Sequence, residues 1–211
     1  MASASTDRTI QIWSITTGLK MNEIKFTNGP VFVCLLVIEE FDWLASGDSH
    51  NQIKLFNIGR NFTLNSTLFG HKKTVTELVL INETTLISSS QDTNIIIWDL
   101  IRLNILTTLY GHTGWVNYMS LISDNLLISG AFDNTIRVWD RENQILLKNI
   151  SSSDTGIIAL KNESYFFIFG GGINNGITKM NVLTGQKLLN VNVRMRVGTM
   201  LLLENNSSSC K

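Results

Sequence analysis

The chain has 211 residues, with 17 basic and 17 acidic side chains and a pI near 6.8. Binding to nucleic acid or to an anionic membrane needs a basic face, so this balance argues against both kinds of partner. The longest apolar stretch, residues 31–38, is too short to span a bilayer, and Met1 opens no signal-peptide pattern. We therefore expect a cytoplasmic or nuclear chain, with 44% hydrophobic residues to fill a single domain.

Two segments of the chain are copies of one another. The segment DTNIIIW ends at Trp98 and the segment DNTIRVW ends at Trp139, and Asp follows each Trp. A Gly-His pair precedes each copy, with its histidine at His71 or His112. The two Trp residues are 41 positions apart, as are the two His residues. A period near 40 with Gly-His early and Trp-Asp late predicts one β-propeller blade per repeat.

Weaker copies extend the repeat along the chain. In chain order the units end at Trp13, Phe56, Trp98, Trp139 and Met180. Short runs rich in Ile, Val and Thr, divided by Asn, Asp, Gly and Ser, predict strands and turns, and helical periodicity is not sustained. In the third unit the predicted strands cover residues 75–81, 85–90, 95–98 and 105–109.

On these residues the chain resembles the WD-repeat family of β-propellers. The resemblance covers nearly the whole chain and weakens in the fifth unit, where Met180 replaces Trp and Asn174 replaces the turn Asp. The segments GHTGWV and LISGAFDNTIRVWD also look like those in the propeller part of F-box/WD proteins. The resemblance implies an all-β fold of four-stranded antiparallel blades.

The family pattern also implies a hydrogen-bonded tetrad within a good blade, joining His, Ser, the turn Asp and Trp. The matching sets are His71, Ser88, Asp92 and Trp98, and His112, Ser129, Asp133 and Trp139. A buried indole, hydroxyl and imidazole each need a partner, so such a set has a structural purpose. Because the set recurs once per blade with Trp attached, we interpret it as structural and not as a catalytic triad.

The phase of the repeat at the two ends predicts how the propeller closes. Residue 1 opens at the second strand of a blade, and residues 197–206 align with the first strand and turn at residues 116–125. We expect one domain over residues 1–211, with five blades closed by pairing of the C-terminal strand with the N-terminal three strands. The blade units are residues 1–26 plus 197–203, 30–68, 74–109, 116–150 and 157–193. Since most relatives have about seven blades, an incomplete fragment of a larger WD-repeat protein stays open as an alternative.

The sequence favours a role without catalysis. No C-x-x-C, H-E-x-x-H or phosphate-loop pattern is present, and Cys34 and Cys210 form no disulfide framework. Within the predicted inner strands, which are the first strands of the blades, Glu77 is the only carboxylate, whereas glycoside hydrolysis needs a pair. We therefore expect no enzymatic activity, no cofactor and no metal.

A rigid ring with variable loops is best interpreted as a docking surface. In the family, the top face carries residues around the start of each inner strand and the residue before the turn Asp. The matching candidates for partner binding are Thr74, Thr76, Gln91, Trp115, Asn117 and Phe132, with Phe32 aligned less securely. Trp115 and Phe132 are the strongest, because aromatic anchors dominate interface energies.

The resulting hypothesis is a non-catalytic protein-interaction scaffold that binds a partner peptide or loop on the top face. It predicts a protein partner, no nucleic acid and no membrane, and a monomeric ring within a larger complex. A substrate-recognition piece of a ubiquitin ligase is the alternative, although the chain has no F-box region.

Overall fold

The computed structural model describes residues 1–26, 29–123, 125–151, 159–162, 165–169, 176–181, 184 and 186–192. These residues form five antiparallel sheets that follow one another along the chain, and we number the sheets blades 1 to 5. The predicted closing strand, residues 197–203, lies outside the described residues. Within the described part, no helix is long and apolar enough to cross a membrane.

Blade 1 contains β1 (Ala2–Ala4), β2 (Thr9–Trp13) and β3 (Lys20–Lys25). Blade 2 contains β4 (Phe32–Ile38), β5 (Trp43–Asp48), β6 (Gln52–Asn57) and β7 (Thr63–Phe69), with a 3-10 turn at Glu39–Phe41. Blade 3 contains β8 (Val75–Asn82), β9 (Thr85–Ser90), β10 (Ile95–Asp99) and β11 (Asn104–Leu109). Blade 4 contains β12 (Val116–Leu121), β13 (Leu126–Ala131), β14 (Thr135–Asp140) and β15 (Ile145–Ser151). Blade 5 contains β16 (Ala159–Asn162), β17 (Tyr165–Phe169), β18 (Gly176–Asn181) and β19 (Gln186–Asn192).

The turn between the second and third strands has one backbone feature in common across blades 1 to 4. One residue of each turn is left-handed, with φ of 71° at Arg8, 70° at Asn51, 74° at Thr93 and 60° at Asn134. Asn tolerates this conformation well, whereas a β-branched residue does not. Thr93 is therefore the strained member of the series.

The hydrophobic core lies between neighbouring blades. Trp98 and Leu100 of blade 3 pack against Ile38 and Leu55 of blade 2, and Trp139 of blade 4 packs in the same way against blade 3. The first strands of successive blades also pack together, β4 against β8 and β8 against β12. Blades 2, 3 and 4 are thus each held through apolar contact with the blade before them.

Blade 1 differs because its described part has three strands. Strand β1 pairs with β2 along one edge and with no other described strand. Ile15 occupies the position of Leu100, yet its side chain is 83% exposed, whereas Leu100 is 1% exposed. The all-β architecture with four-stranded antiparallel sheets is confirmed, while five-blade closure stays a prediction.

Candidate functional site

The structure brings together all four side chains of each expected tetrad. In blade 4, His112 Nδ1 lies 2.8 Å from Asp133 Oδ2 and His112 Nε2 lies 2.7 Å from Ser129 Oγ. The Trp139 indole N–H donates to Ser129 Oγ at 2.7 Å. Blade 3 repeats these contacts at 2.9, 2.7 and 2.8 Å with His71, Asp92, Ser88 and Trp98. Because the indole can only donate and the carboxylate can only accept, the chain of donors runs from Trp through Ser and His to Asp.

The electrostatics of the blade 4 tetrad agree with this direction. Burial lowers the pKa of His112, and the neighbouring Asp133 only partly offsets that effect. Burial alone would raise the pKa of Asp133, but hydrogen bonds from Thr135, the Thr113 N–H and His112 outweigh it and lower the pKa. A neutral imidazole therefore donates to an ionised carboxylate. Ser129 is 0% exposed, so its hydroxyl cannot reach a substrate as a nucleophile.

Blade 1 keeps only part of the tetrad. The Trp13 indole N–H donates to Ser3 Oγ at 2.8 Å. The Asp7 carboxylate accepts hydrogen bonds from the backbone and side chain of Thr9, which lower its pKa. Among the described residues, no histidine joins this set.

In blade 2, packed aromatic rings and a buried ion pair take the place of the tetrad. Phe56 stands in the Trp position, and the rings of Phe26 and Phe32 pack around it. The buried Ser46 Oγ consequently has no hydrogen-bond partner in the described part of the chain. Lys54 and Asp48 form a buried ion pair at 3.3 Å between Nζ and Oδ2.

The strongest candidate site is a cleft on the top face between blades 3 and 4. It has a volume of about 410 Å³. Its walls are formed by Lys73, Gln91, Thr93, Thr113, Gly114, Trp115 and Phe132, and we name it the top-face cleft. The rings of Trp115 and Phe132 meet edge to face, with centroids 5.7 Å apart and planes at 76°. These two side chains are 45% and 42% exposed, so the cleft presents a firm aromatic corner to solvent.

Backbone contacts hold this corner in place. The Phe132 N–H donates to the Trp115 carbonyl at 2.9 Å. Gly114 lies so close to the turn that a Cβ there would collide with the Asp133 nitrogen, so a side chain at this position would displace the turn. Strained Thr93 forms part of the opposite wall. Strain of this kind is concentrated at functional sites, which supports the cleft as a candidate.

Three of the seven sequence candidates line the cleft, namely Gln91, Trp115 and Phe132. Thr74 and Asn117 are half-buried beside it and are not part of its walls. Thr76 is engaged elsewhere, because its hydroxyl donates to the Val116 carbonyl at 2.5 Å and lies 2.9 Å from Ser89 Oγ.

The placement of Phe32 on the top face is wrong by one residue. Phe32 pairs with Asp48 just as Val75 pairs with Ser90, so it occupies the buried position of Val75. Its side chain is only 2% exposed and belongs to the core between blades 1 and 2. The β-bulge after this pair leaves Val33, which is 43% exposed, at the position of Thr76.

Sequence reasoning missed four residues of the cleft: Lys73, Thr93, Thr113 and Gly114. Each of them lies within two residues of a predicted candidate. Lys73, Thr113 and Gly114 lie in the loops that follow Gly-His, and Thr93 lies in the turn between the second and third strands. They would have been found if every residue of these loops had been taken as a candidate, in place of the single positions matched to the family.

Comparisons with known proteins agree with the repeat pattern. The family model for "WD domain, G-beta repeat" matches residues 62–99 and 103–140, which contain the two complete tetrads. Protein SPA1-RELATED 3 and Protein SPA1-RELATED 4 of Arabidopsis thaliana are 31% and 30% identical over 100 residues. The match covers 47% of this chain and only 12% of each plant protein.

A solved structure has the same fold over most of the chain. A chain in a crystal structure of the mitotic checkpoint complex superposes with a TM-score of 0.83 at 17% identity. The match covers 93% of this chain and 62% of that chain. The chain thus contains two WD repeats, each with a complete tetrad, and shares its fold with that solved structure.

Proposed function

We propose that this chain is a non-catalytic protein-interaction module that binds an extended peptide of a partner protein in the top-face cleft. The observation that carries the proposal is the half-exposed Trp115–Phe132 corner lining a cleft of about 410 Å³. Clustered, well-held aromatic side chains supply most of the energy at protein interfaces. A bulky apolar side chain of the partner would fill the corner.

The charge of the cleft favours an acidic residue beside that apolar anchor. Lys73 forms part of the wall and is exposed. Among the described residues its ammonium group makes no ion pair. The nearby carboxylates of Asp92 and Asp133 are turned into the tetrads, so they leave the positive charge of Lys73 uncompensated. A partner carboxylate would complement this charge and speed association.

The buried tetrads favour binding over catalysis. Ser88 and Ser129 are each 0% exposed and accept a Trp indole N–H, so neither is available as a nucleophile. Substrate recognition in a ubiquitin ligase is a narrower form of the same proposal, since it would use the same cleft. The partners of the two plant relatives stay outside the proposal, because the match covers 12% of their length.

Selection from a displayed random-peptide library tests the proposal. Wild-type protein should enrich peptides in which an aromatic or large aliphatic residue lies next to Asp or Glu. A double variant, Trp115→Ala with Phe132→Ala, should lose this enrichment because the apolar corner is gone.

A matched control carries Phe69→Ala with Tyr110→Ala. These two aromatic side chains are 67% and 71% exposed and do not line the cleft. The control should enrich the same peptides as the wild type. Equal enrichment by all three proteins, or no enrichment by the wild type, would reject the top-face cleft as a peptide site.

We also propose that blade 1 gains its fourth strand from residues 197–203, which would close a ring of five blades. Support comes from the edge of β1, which pairs with no described strand, and from the exposure of Ile15 at a position that blade 3 buries. The sequence of residues 197–203 resembles the inner strand β12. A closed ring would fix the blades that form the cleft relative to each other.

A further inference from the structure

Two side chains of β8 reach across to the inner strand of blade 4. The Thr76 hydroxyl donates to the Val116 carbonyl at 2.5 Å, and Glu77 Oε2 accepts a hydrogen bond from the Met119 N–H. Both backbone groups therefore point away from β13, the strand with which β12 pairs. These contacts clasp the unpaired edge of β12 to blade 3, and we name them the inter-blade clasp.

The clasp adjoins the top-face cleft along the chain. One wall of the cleft belongs to blade 3, through Lys73 and Gln91, and the other wall includes Trp115 of blade 4. Val116 follows Trp115 in the chain, and the β12 bulge lies between Val116 and Tyr118. Any change in the clasp would therefore move one wall of the cleft relative to the other.

We propose that Glu77 is a positioning residue for the cleft, and that gain or loss of its proton shifts the setting of Trp115. The ionised carboxylate is a strong acceptor that holds the Met119 N–H, whereas the protonated acid is a weaker one. Proton uptake would loosen the clasp and change the surroundings of the indole ring. This inference rests on the proposed role of the cleft.

The surroundings of Glu77 allow this proton exchange near neutral pH. Burial raises the pKa of Glu77 to about 7, although the Met119 N–H works in the opposite direction. On β4, the Cys34 thiol lies near Glu77. Burial is the main reason that the pKa of Cys34 is raised to about 12, and the negative charge of Glu77 adds to this effect. Asp48 on β5 also acts on Cys34 and is itself paired with Lys54. Within the described residues, no cation is paired with Glu77.

Fluorine NMR of the full chain labelled with 5-fluorotryptophan tests the inference without a partner. The Trp115 signal is assigned by its absence from Trp115→Phe. In the wild type we expect the Trp115 shift to titrate with a midpoint near pH 7. In Glu77→Gln this step should vanish while the signal remains, because the amide oxygen still accepts the Met119 N–H but takes up no proton.

Two further variants define the outcome. Glu83→Gln removes an exposed carboxylate of the same blade and should titrate like the wild type. Glu77→Ala removes the clasp and should displace the Trp115 signal at every pH. The inference is overturned if the Trp115 signal gives the same titration curve in the wild type and in Glu77→Gln, even when the signal of Glu77→Ala is displaced. Since no peptide is present, that result would leave peptide binding at the cleft standing, and failure of the peptide selection would leave the fluorine result unchanged.

Discussion

The Trp115 carbonyl accepts a hydrogen bond from the Phe132 N–H at 2.9 Å, while the two rings meet edge to face at 5.7 Å. The two residues belong to separate loops, one before β12 and one after β13. Backbone and side-chain contacts thus join both loops into one unit. The aromatic corner is therefore preorganised, which lowers the entropic cost of binding a peptide.

The tetrad should make a Ser→Ala substitution costly in blade 4, whereas the equivalent substitution in blade 2, which lacks the tetrad, should cost little. Ser129→Ala would leave the Trp139 N–H and His112 Nε2 without their buried partner, and we expect a loss of about 1–3 kcal/mol in unfolding free energy. Ser46→Ala removes a buried hydroxyl with no described partner, and should change stability by less than about 0.5 kcal/mol or raise it. Urea denaturation measures both. Equal losses would show that the hydrogen-bond network does not stabilise blade 4.

The left-handed turn predicts a reciprocal pair of substitutions. Thr93 has φ of 74°, whereas the equivalent residue of blade 4 is Asn134 with φ of 60°. A β-branched residue in this conformation costs about 1–2 kcal/mol. Thr93→Asn should therefore raise the melting temperature, and Asn134→Thr should lower it. Thermal unfolding followed by circular dichroism measures both, and shifts of the same sign would argue against strain at this turn.

Glu77 predicts a pH dependence of stability with a definite sign. Its pKa is raised from 4.5 to about 7 in the folded chain, so the folded chain binds the proton more tightly than the unfolded chain does. This contribution makes the wild type lose stability as the pH rises from 4.5 to about 7. His112, whose pKa is lowered, acts in the opposite direction below pH 6.5.

Comparison with Glu77→Gln isolates the effect, because His112 contributes equally to both proteins. Relative to the wild type, the variant should gain stability as the pH rises from 4.5 to about 7, because the folded wild type resists the ionisation that the unfolded chain undergoes. Urea titrations at several pH values provide the measurement. A constant difference between the two proteins across this range would contradict the raised pKa.

Closure of the ring predicts one specific disulfide. By the alignment with β12, Thr199 should lie opposite Ala4, as Tyr118 lies opposite Gly130. With Cys34 and Cys210 replaced by Ala, a chain carrying Ala4→Cys and Thr199→Cys should form an intramolecular disulfide on mild oxidation.

Non-reducing electrophoresis and mass spectrometry distinguish the outcomes of this oxidation. A control that carries Ser207→Cys in place of Thr199→Cys should keep free thiols. Disulfide-linked dimers would mean that a second copy covers the edge of β1, and free thiols in both proteins would reject the proposed register. Either result would remove the support for a closed five-blade ring.

Regular repeats made much of the fold predictable. The predicted strand at residues 85–90 agrees with β9, and the run at residues 95–98 differs from β10 by a single residue. Here β-branched residues and turn residues alternate clearly, and the copied spacing fixes the register. The tetrad partners follow from the same spacing, since one blade geometry places them together.

The errors occur where one blade departs from its neighbours. Phe32 was misplaced because blade 2 has one more residue between Phe32 and its partner Asp48 than blade 3 has between the equivalent pair, and a one-residue slip moves a side chain to the other face of a sheet. The pairing of Lys54 with Asp48 was missed because it replaces a tetrad in a blade with Phe56 in the Trp position. The contribution of Lys73 to the cleft does not follow from the sequence, since it depends on the packing of two blades.

Isothermal titration calorimetry of one selected peptide is the most direct test of the central claim that Trp115 and Phe132 form the binding site. The double variant Trp115→Ala with Phe132→Ala should lose at least about tenfold in affinity, which corresponds to about 1.4 kcal/mol. The affinity of the control with Phe69→Ala and Tyr110→Ala should stay within about twofold of the wild-type affinity, because neither side chain lines the cleft. Unchanged affinity in the double variant, or an equal loss in the control, would contradict the assignment of the top-face cleft.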